Sequence, residues 1–180
     1  MIARPLLLAP LVALVASACS SRPQAPALTN ESVYDDHAIG LRFLAPAGWA
    51  VHSRAVLPSG QLSKPIILIS YEGGSEKPAE LRVLVAELAP EGDLQQFVAE
   101  HRVGAERWTA QSPVEQISVN DAPASRFVLS RTQGKEEIRR EVTAFRRAER
   151  VYFFMVDFAA SDAASRDAVR TAIASVTWKK

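Results

Sequence analysis

Three histidines and two aspartates are the residues whose chemistry would suit a metal ion. His37, His52 and His101 are the only histidines of the chain, and Asp35 and Asp36 directly precede the first of them. Their spacings match no zinc-ligand signature, and the chain contains neither an HxxxH nor a CxxC pair. These residues fall on different predicted elements, so the ligands would have to converge from across the fold. We therefore predict no metal site and no cofactor.

Nucleophilic catalysis has no recognisable residue set in this sequence. There is no G-x-S-x-G motif, which in hydrolases presents a serine at a strand-to-helix turn. Gly60, Gly73 and Gly74 are not followed by the Lys-Ser or Lys-Thr pair that completes a phosphate-binding loop. We therefore predict that the protein is not an enzyme.

Cys19 is the residue whose surroundings do predict a chemical event. It follows Arg4, an apolar stretch over residues 6–15 and the small residues Ala16–Ala18, which together are typical of a cleaved secretory signal peptide. The apolar stretch is too short for a transmembrane helix, which needs about 20 residues. This arrangement resembles the bacterial lipobox. The resemblance implies that residues 1–18 are removed and that Cys19 becomes the lipidated N-terminus, with an acyl group such as palmitate.

A second interpretation of the same residues stays open. The lipobox usually has leucine three residues before the cysteine, where this chain has Ala16, and Ala16-Ser17-Ala18 also fits an ordinary signal peptidase site. That cleavage would leave a soluble periplasmic protein with a free thiol. Lone cysteines are scarce in oxidising compartments, which favours lipidation of Cys19. Ser20 in the next position resembles the outer-membrane sorting pattern of enteric bacteria, so we expect a lipid-anchored protein of the outer membrane that faces the periplasm.

The rest of the chain divides into a tether and one domain. Residues 19–31 mix Ser, Pro, Gln and Ala without periodicity, which predicts a flexible tether. Residues 32–180 have the length and composition of one soluble domain. The chain has 21 Lys and Arg against 20 Asp and Glu, and loss of Arg4 would balance them. This balance gives no electrostatic case for nucleic-acid binding.

Hydrophobic periodicity in the domain predicts strands, a middle helix, a meander and a closing helix. The first strands are predicted over Val33–Asp36, Leu41–Leu44, Trp49–Ser53, Pro65–Tyr71 and Glu80–Leu88. A helix of about four turns follows, with Asp93 as N-cap, Gln96 in a capping box and an apolar face that runs to Trp108. The meander strands are predicted over Val114–Val119, Ala124–Thr132, Glu136–Arg147 and Arg150–Ala159. A last helix begins at Ser161 or Asp162, and Trp178 is expected to pack at its end. The predicted class is α+β: an antiparallel β-sheet flanked by helices, as an α/β/α sandwich.

Three groups of residues are candidates for binding surfaces. The first makes the meander locally basic: Lys135, Arg139, Arg140, Arg146, Arg147 and Arg150. Interleaved glutamates favour a solvated, ion-paired surface there, with a docking patch for an acidic partner as the alternative. Trp49 and Trp108 are predicted to be core or core-edge residues rather than ligand platforms. Tyr71 and the Glu72–Pro78 loop are the hypothesised contact surface.

Two short segments resemble a known fold. The phrase GLRFLAPAGW over residues 40–49 is similar to the opening of the PsbP-like fold, and Ala172–Val176 is similar to its close. This group includes the photosystem subunit PsbP, a nuclear import factor and DcrB-type bacterial envelope lipoproteins. Its members are mostly binding or assembly accessories without shared catalytic residues. The resemblance covers residues 32–178 and implies a non-catalytic accessory that binds an envelope protein; a small-ligand or lipid-binding periplasmic module is the alternative.

Overall fold

The computed structural model describes residues 32–74, 77–100 and 107–179, so Cys19 and the predicted signal peptide and tether lie outside the described residues. Within these ranges the chain forms eleven strands and two helices. In chain order they are β1 (Val33–Asp36), β2 (Leu41–Leu44), β3 (Ala50–Arg54), β4 (Ile66–Gly73), β5 (Ala79–Glu87), α1 (Leu94–Glu100), β6 (Thr109–Ala110), β7 (Glu115–Val119), β8 (Ala122–Gln133), β9 (Glu136–Arg147), β10 (Arg150–Ala159), α2 (Ala163–Ala174) and β11 (Thr177–Trp178).

The strands form one large and one small antiparallel sheet. The large sheet has the order β3-β4-β5-β10-β9-β8-β6, with β7 also paired to β8. The predicted meander is confirmed as β7 to β10. Its first reversal places Asn120 and Asp121 at φ values of 46° and 64°, which suits the tight hairpin turn that this residue pair favours. The small sheet has the order β1-β2-β11, so the last described strand returns to the first hairpin.

Both faces of the large sheet are covered, and the alternation of β10 shows how. Tyr152, Phe154 and Val156 belong to a core shared with the small sheet and α2. Phe153 and Met155 belong to a second core, under α1 and the segment that contains Trp108. Because successive side chains of a strand point to opposite faces, a strand covered on both sides is apolar throughout. β10 is therefore the central element of the domain.

The α+β class is confirmed, but the layers differ from the predicted sandwich. The predicted sandwich has only helices on each face of the sheet, whereas here one face is covered jointly by α2 and the small sheet. The described structure is therefore mostly sheet, with two helices. The physical reason lies in the first hairpin, whose Tyr34, Leu41 and Phe43 are large, apolar and fully buried. These side chains occupy area on the sheet that a second helix would otherwise cover.

The middle helix begins where it was predicted. Asp93 Oδ1 accepts hydrogen bonds from the backbone N–H groups of Gln95 and Gln96, at 2.8 and 3.0 Å. The Gln96 side chain donates to Glu100 at 2.8 Å instead of reaching back, so the capping box is half formed. Trp108 lies outside α1, immediately before the unpredicted strand β6, so the prediction that it ends the helix is wrong. Residues 101–106 lie outside the described residues.

Candidate functional site

The two described histidines lie on different elements, each beside its own carboxylate. His37 Nδ1 is 3.7 Å from Asp35 Oδ1 in the turn after β1, and His52 Nδ1 on β3 is 3.2 Å from Glu72 Oε1. His101 is outside the described residues. Among residues 32–74, 77–100 and 107–179, no three His, Cys, Asp or Glu side chains are grouped closely enough to hold a metal ion.

Buried charges meet instead on the α1 face of the large sheet. Arg140 Nε and Nη2 donate to the two carboxylate oxygens of Asp157, both at 2.6 Å, and Arg82 Nη2 donates to Asp157 Oδ2 at 2.6 Å. The side chains of Arg140, Arg82 and Asp157 are 1%, 10% and 14% exposed. Asp157 and Arg140 are direct cross-strand partners in the β10–β9 register. We call these three residues the ion-pair cluster.

The surroundings of the ion-pair cluster hold its charges in place. Arg140 Cζ lies 4.0 Å from the centroid of the Trp108 ring, within the range of a cation–π contact. Glu80 Oε2 is 3.1 Å from Arg82 Nη2, and burial raises the pKa of the Glu80 carboxyl above its usual range. Both oxygens of Asp157 accept short charged hydrogen bonds, so neither is available as a free base. The arrangement fixes the Asp157 carboxylate between two guanidinium groups.

The cluster opens into a groove with a volume of about 1140 Å³, which we call the ion-pair groove. Its polar lining comes from Glu72, Lys77, Glu80, Arg82, Arg131, Gln133, Glu136 and Asp157. Lys77 lies in the β4–β5 connection and Glu136 is the first residue of β9. An ion pair between them links the two sides of the groove. The groove therefore presents side chains of both charges. Part of the hypothesised Glu72–Pro78 contact surface lines it. Residues 75 and 76 of that loop lie outside the described residues.

Two residues of the hypothesised surfaces are buried. Tyr71 is 2% exposed in the core between the sheets, and burial raises its pKa to about 12, so its assignment to a contact surface is wrong. Arg140 is 1% exposed, so its assignment to a solvated surface is wrong as well. The reason is its partner on the neighbouring strand, because Asp157 supplies the charge that allows an arginine to be buried there.

The other basic arginines of the meander each make their own contacts. Arg139 forms the predicted solvated ion pair, with Glu137 at 3.0 Å. Arg146 donates to the carbonyls of residues 88, 89 and 92, and Arg150 donates to those of residues 58 and 60. The Arg147 guanidinium lies 5.2 Å from the Trp178 ring. Arg146, Arg147 and Arg150 lie together at the β9–β10 turn, where Glu87 and Glu149 are also found, and Arg139 lies towards the other end of β9. The basic residues of the meander are therefore divided between two places.

Both tryptophans predicted for the core or its edge contact it. Trp108 is 9% exposed. Trp49 packs on the core between the sheets, and its ring covers Gly73 so closely that a Cβ at Gly73 would lie 2.3 Å from Trp49 Cγ. Gly73 is therefore needed for the close approach of the indole.

A second cavity lies on the opposite face, between α2 and the β7–β8 hairpin. Its volume is about 370 Å³, and we call it the α2 pocket. The apolar side chains that line it are Ile117, Val119, Val156, Val169, Ile173 and Ala174. Thr143 also lines it, and Arg126, Glu141 and Arg170 supply its charged groups. The α2 pocket is smaller and more apolar than the ion-pair groove.

The ion-pair cluster was missed in the sequence, although the sequence carries a signal for it. Asp157 interrupts the apolar run of β10, and Arg82 interrupts that of β5. A charge inside a strand covered on both faces needs an oppositely charged partner, because an unpaired buried charge is costly. Sequence alone does not reveal that β5 and β9 both flank β10, which is what selects Arg82 and Arg140 as the partners.

The architecture defines the class: an α+β protein with a large antiparallel sheet, a small sheet and α2 on one face and α1 on the other. More closely, the fold is PsbP-like, as predicted. The solution structure of cyanobacterial PsbP (CyanoP) from Synechocystis sp. PCC 6803 is similar to it, with a TM-score of 0.58 and 14% sequence identity over 87% of this chain and 98% of that chain. Identity at that level shows the fold alone. No family model and no curated protein matches the sequence. None of the described helices is both long and apolar enough to cross a membrane.

Proposed function

We propose that the protein is a lipid-anchored accessory protein of the cell envelope, which binds another envelope protein through the ion-pair groove and catalyses no reaction. Residues 1–18 are the signal peptide, Cys19 carries the lipid, residues 19–31 are the tether and residues 32–180 are the binding domain. The anchor lies in the outer membrane and the domain faces the periplasm. The sequence around Cys19 supports the anchor, and the groove supports the binding role.

The observation that carries the binding role is the state of the charges in the ion-pair groove. Acid–base catalysis needs a group that is free to exchange a proton with a substrate. Both oxygens of Asp157 are instead occupied by guanidinium groups at 2.6 Å, which fixes the floor of the groove. Side chains of both signs line the walls, and such a surface suits a polypeptide segment that carries charges of both signs.

The anchor is tested by labelling and fractionation. The wild-type protein should incorporate labelled palmitate and sediment with membranes, whereas Cys19→Ala should do neither and should appear in the periplasm. Ser20→Asp is the matched variant, which keeps the lipid and, in an enteric host, should move the protein to the inner membrane. An unlabelled wild-type protein with a free N-terminal thiol would support ordinary signal peptidase cleavage instead.

The groove is tested by photocrosslinking in the native host. A photoreactive amino acid replaces Gln133, which is exposed and lines the groove, and the matched control replaces Thr171, which is exposed on α2. One envelope protein should be captured from position 133 but not from position 171, and capture should be lost in the Cys19→Ala background. Equal capture from both positions, or none from position 133, would contradict a role for the groove.

A second candidate function is favoured by the α2 pocket. Small-molecule sites have volumes of about 300–1,000 Å³, and are mostly apolar with a few polar groups. The α2 pocket, at about 370 Å³, meets this description. The protein would then be a small-ligand or lipid-binding module of the periplasm. Native mass spectrometry of the Cys19→Ala protein, purified from its own host, tests this: a retained small molecule supports it and a bare protein contradicts it.

A further inference from the structure

We infer that the α2 pocket binds a small neutral amphiphile, with one aliphatic chain and a hydroxyl or carbonyl oxygen at its inner end. This inference rests on the second candidate function and names the class of ligand. Three features of the pocket carry it: apolar walls, one hydroxyl that lines them without a side-chain partner among the described residues, and charged groups that neutralise one another.

The walls are supplied by three separate elements. Val156 on β10 and Val169 on α2 are 1% and 0% exposed, and Ile173, one turn further along α2, is 8% exposed. Ile117 and Val119 close the opposite side from β7. Val156 and Val169 are already closed to water and form the base of the pocket. An aliphatic chain would gain by covering the more exposed Ile117, Val119 and Ala174 and by leaving water itself.

The polar feature of the pocket is the hydroxyl of Thr143. This residue is 4% exposed, lines the pocket from β9 and makes no side-chain hydrogen bond with the part of the chain that the structure describes. By contrast, the hydroxyls of Ser70 and Ser165, which are equally buried, each have a side-chain partner at 2.7 Å. The Thr143 Oγ1 is not itself closed off from the pocket, so it is a polar group on an otherwise apolar wall, where it can hydrogen-bond the polar atom of a ligand.

The charged groups at the pocket argue for a neutral ligand. Arg170 donates to both carboxylate oxygens of Glu141, at 2.9 and 3.0 Å. Arg126 donates to Glu115 at 2.8 Å. Each cation therefore has its own anion, so the local charge sums to zero and an ionised carboxylate would gain no unmatched cation. The volume of about 370 Å³ is at the lower end for ligand sites, which suits one short chain rather than a diacyl lipid.

The experiment titrates the full-length ¹⁵N-labelled Cys19→Ala protein with 1-octanol, and separately with octanoate as the charged probe. Chemical-shift changes should be centred on Val156, Val169 and Ile173, with octanol bound more tightly than octanoate. Thr143→Val keeps the shape of the side chain and removes the hydroxyl, so the octanol affinity should fall about 2- to 10-fold, the range of one neutral hydrogen bond. Thr171→Val, on the exposed side of α2, is the matched control and should leave the affinity unchanged.

A filling variant separates loss of the site from loss of the fold. Ala174 is exposed at the end of α2 and lines the pocket, so Ala174→Leu should abolish octanol binding while the amide spectrum stays dispersed. Octanoate binding as tight as that of octanol, or an affinity that Thr143→Val leaves unchanged, would overturn the neutral-ligand inference. If octanol fails to bind but native mass spectrometry finds another retained molecule, the inference fails and the second candidate function stands; if neither is seen, both fail.

Discussion

Replacing Asp157 by asparagine tests the account of the ion-pair cluster most directly. The substitution keeps the size and shape of the side chain and removes its charge. It leaves Arg140, which is 1% exposed, and Arg82 in the interior without their common anion. An uncompensated buried charge is among the few single changes that cost a protein a large part of its stability.

The magnitude follows from the geometry. Asp157 accepts three hydrogen bonds from guanidinium groups at 2.6 Å, and bonds to charged groups contribute about 1.5–3 kcal/mol each. The loss is smaller than their sum, because the amide keeps one acceptor oxygen and Glu80 remains 3.1 Å from Arg82. We expect the free energy of unfolding to fall by about 3–5 kcal/mol, which is the cost measured for breaking buried ion pairs.

Urea denaturation followed by tryptophan fluorescence measures this change, since Trp108 lies against Arg140. The matched control is Glu115→Gln, which makes the same chemical change in an exposed pair with Arg126 and should cost less than about 1 kcal/mol. The double variant Asp157→Asn with Arg140→Met should cost less than the two single changes added together, because it removes charges of both signs. Equal, small losses for Asp157→Asn and Glu115→Gln would refute the assignment of a buried cluster.

Three further predictions concern titration, packing and capping. Burial raises the pKa of all three tyrosines above its usual value near 10: Tyr34, Tyr71 and Tyr152. The contribution of the buried tyrosines to stability is present below pH 10 and is lost as the pH rises through their folded-state pKa values. Because these pKa values are raised, absorbance at 295 nm at pH 10.5 should show much less phenolate in the native than in the urea-unfolded protein. Gly73→Ala should lower the free energy of unfolding by about 1–3 kcal/mol, because the new methyl group collides with Trp49. The comparison variant is Gly60→Ala, where the new methyl group meets no atom and only backbone strain lowers the stability. Asp162→Ala should cost about 1 kcal/mol at neutral pH, because Asp162 accepts a hydrogen bond from the Ser165 N–H at the start of α2. Hydrogen bonds to Ser165 lower the pKa of Asp162, so this difference in urea denaturation should shrink below the usual pKa and be lost as the pH falls through the lowered folded-state pKa; a pH-independent difference would contradict the capping role.

The parts of the fold that the sequence predicted well are those determined by neighbouring residues. The turn at Asn120 and Asp121 follows from the tolerance of these residues for positive φ, and the cap of α1 follows from Asp93. β6 and β11 were not predicted, because each has two residues and exists only through pairing with a distant strand. Trp178 was accordingly expected at the end of a helix rather than in a strand.

The candidate sites also divide into those that depend on neighbouring residues and those that depend on long-range pairing. Asp157 stands out in the sequence as a lone charge in an apolar strand, but its partners lie on strands that reach it by long-range pairing. The α2 pocket depends on how α2 lies over the sheet beside the β7–β8 hairpin, which no local pattern describes. Cys19 is the opposite case, since its interpretation depends only on the residues around it.

The return of β11 to the first hairpin has a consequence for the order of folding. The backbone N–H of Leu44 donates to the Ser175 hydroxyl 131 residues later, at 2.8 Å, and β11 pairs with β2 on the same side. Contacts between such distant residues close large loops and form slowly. The β1–β2 hairpin therefore lacks its third strand until residues 177 and 178 are in place. We therefore expect completion of the small sheet to be a late step of folding, in which Val176, which is 0% exposed in the folded chain, becomes buried.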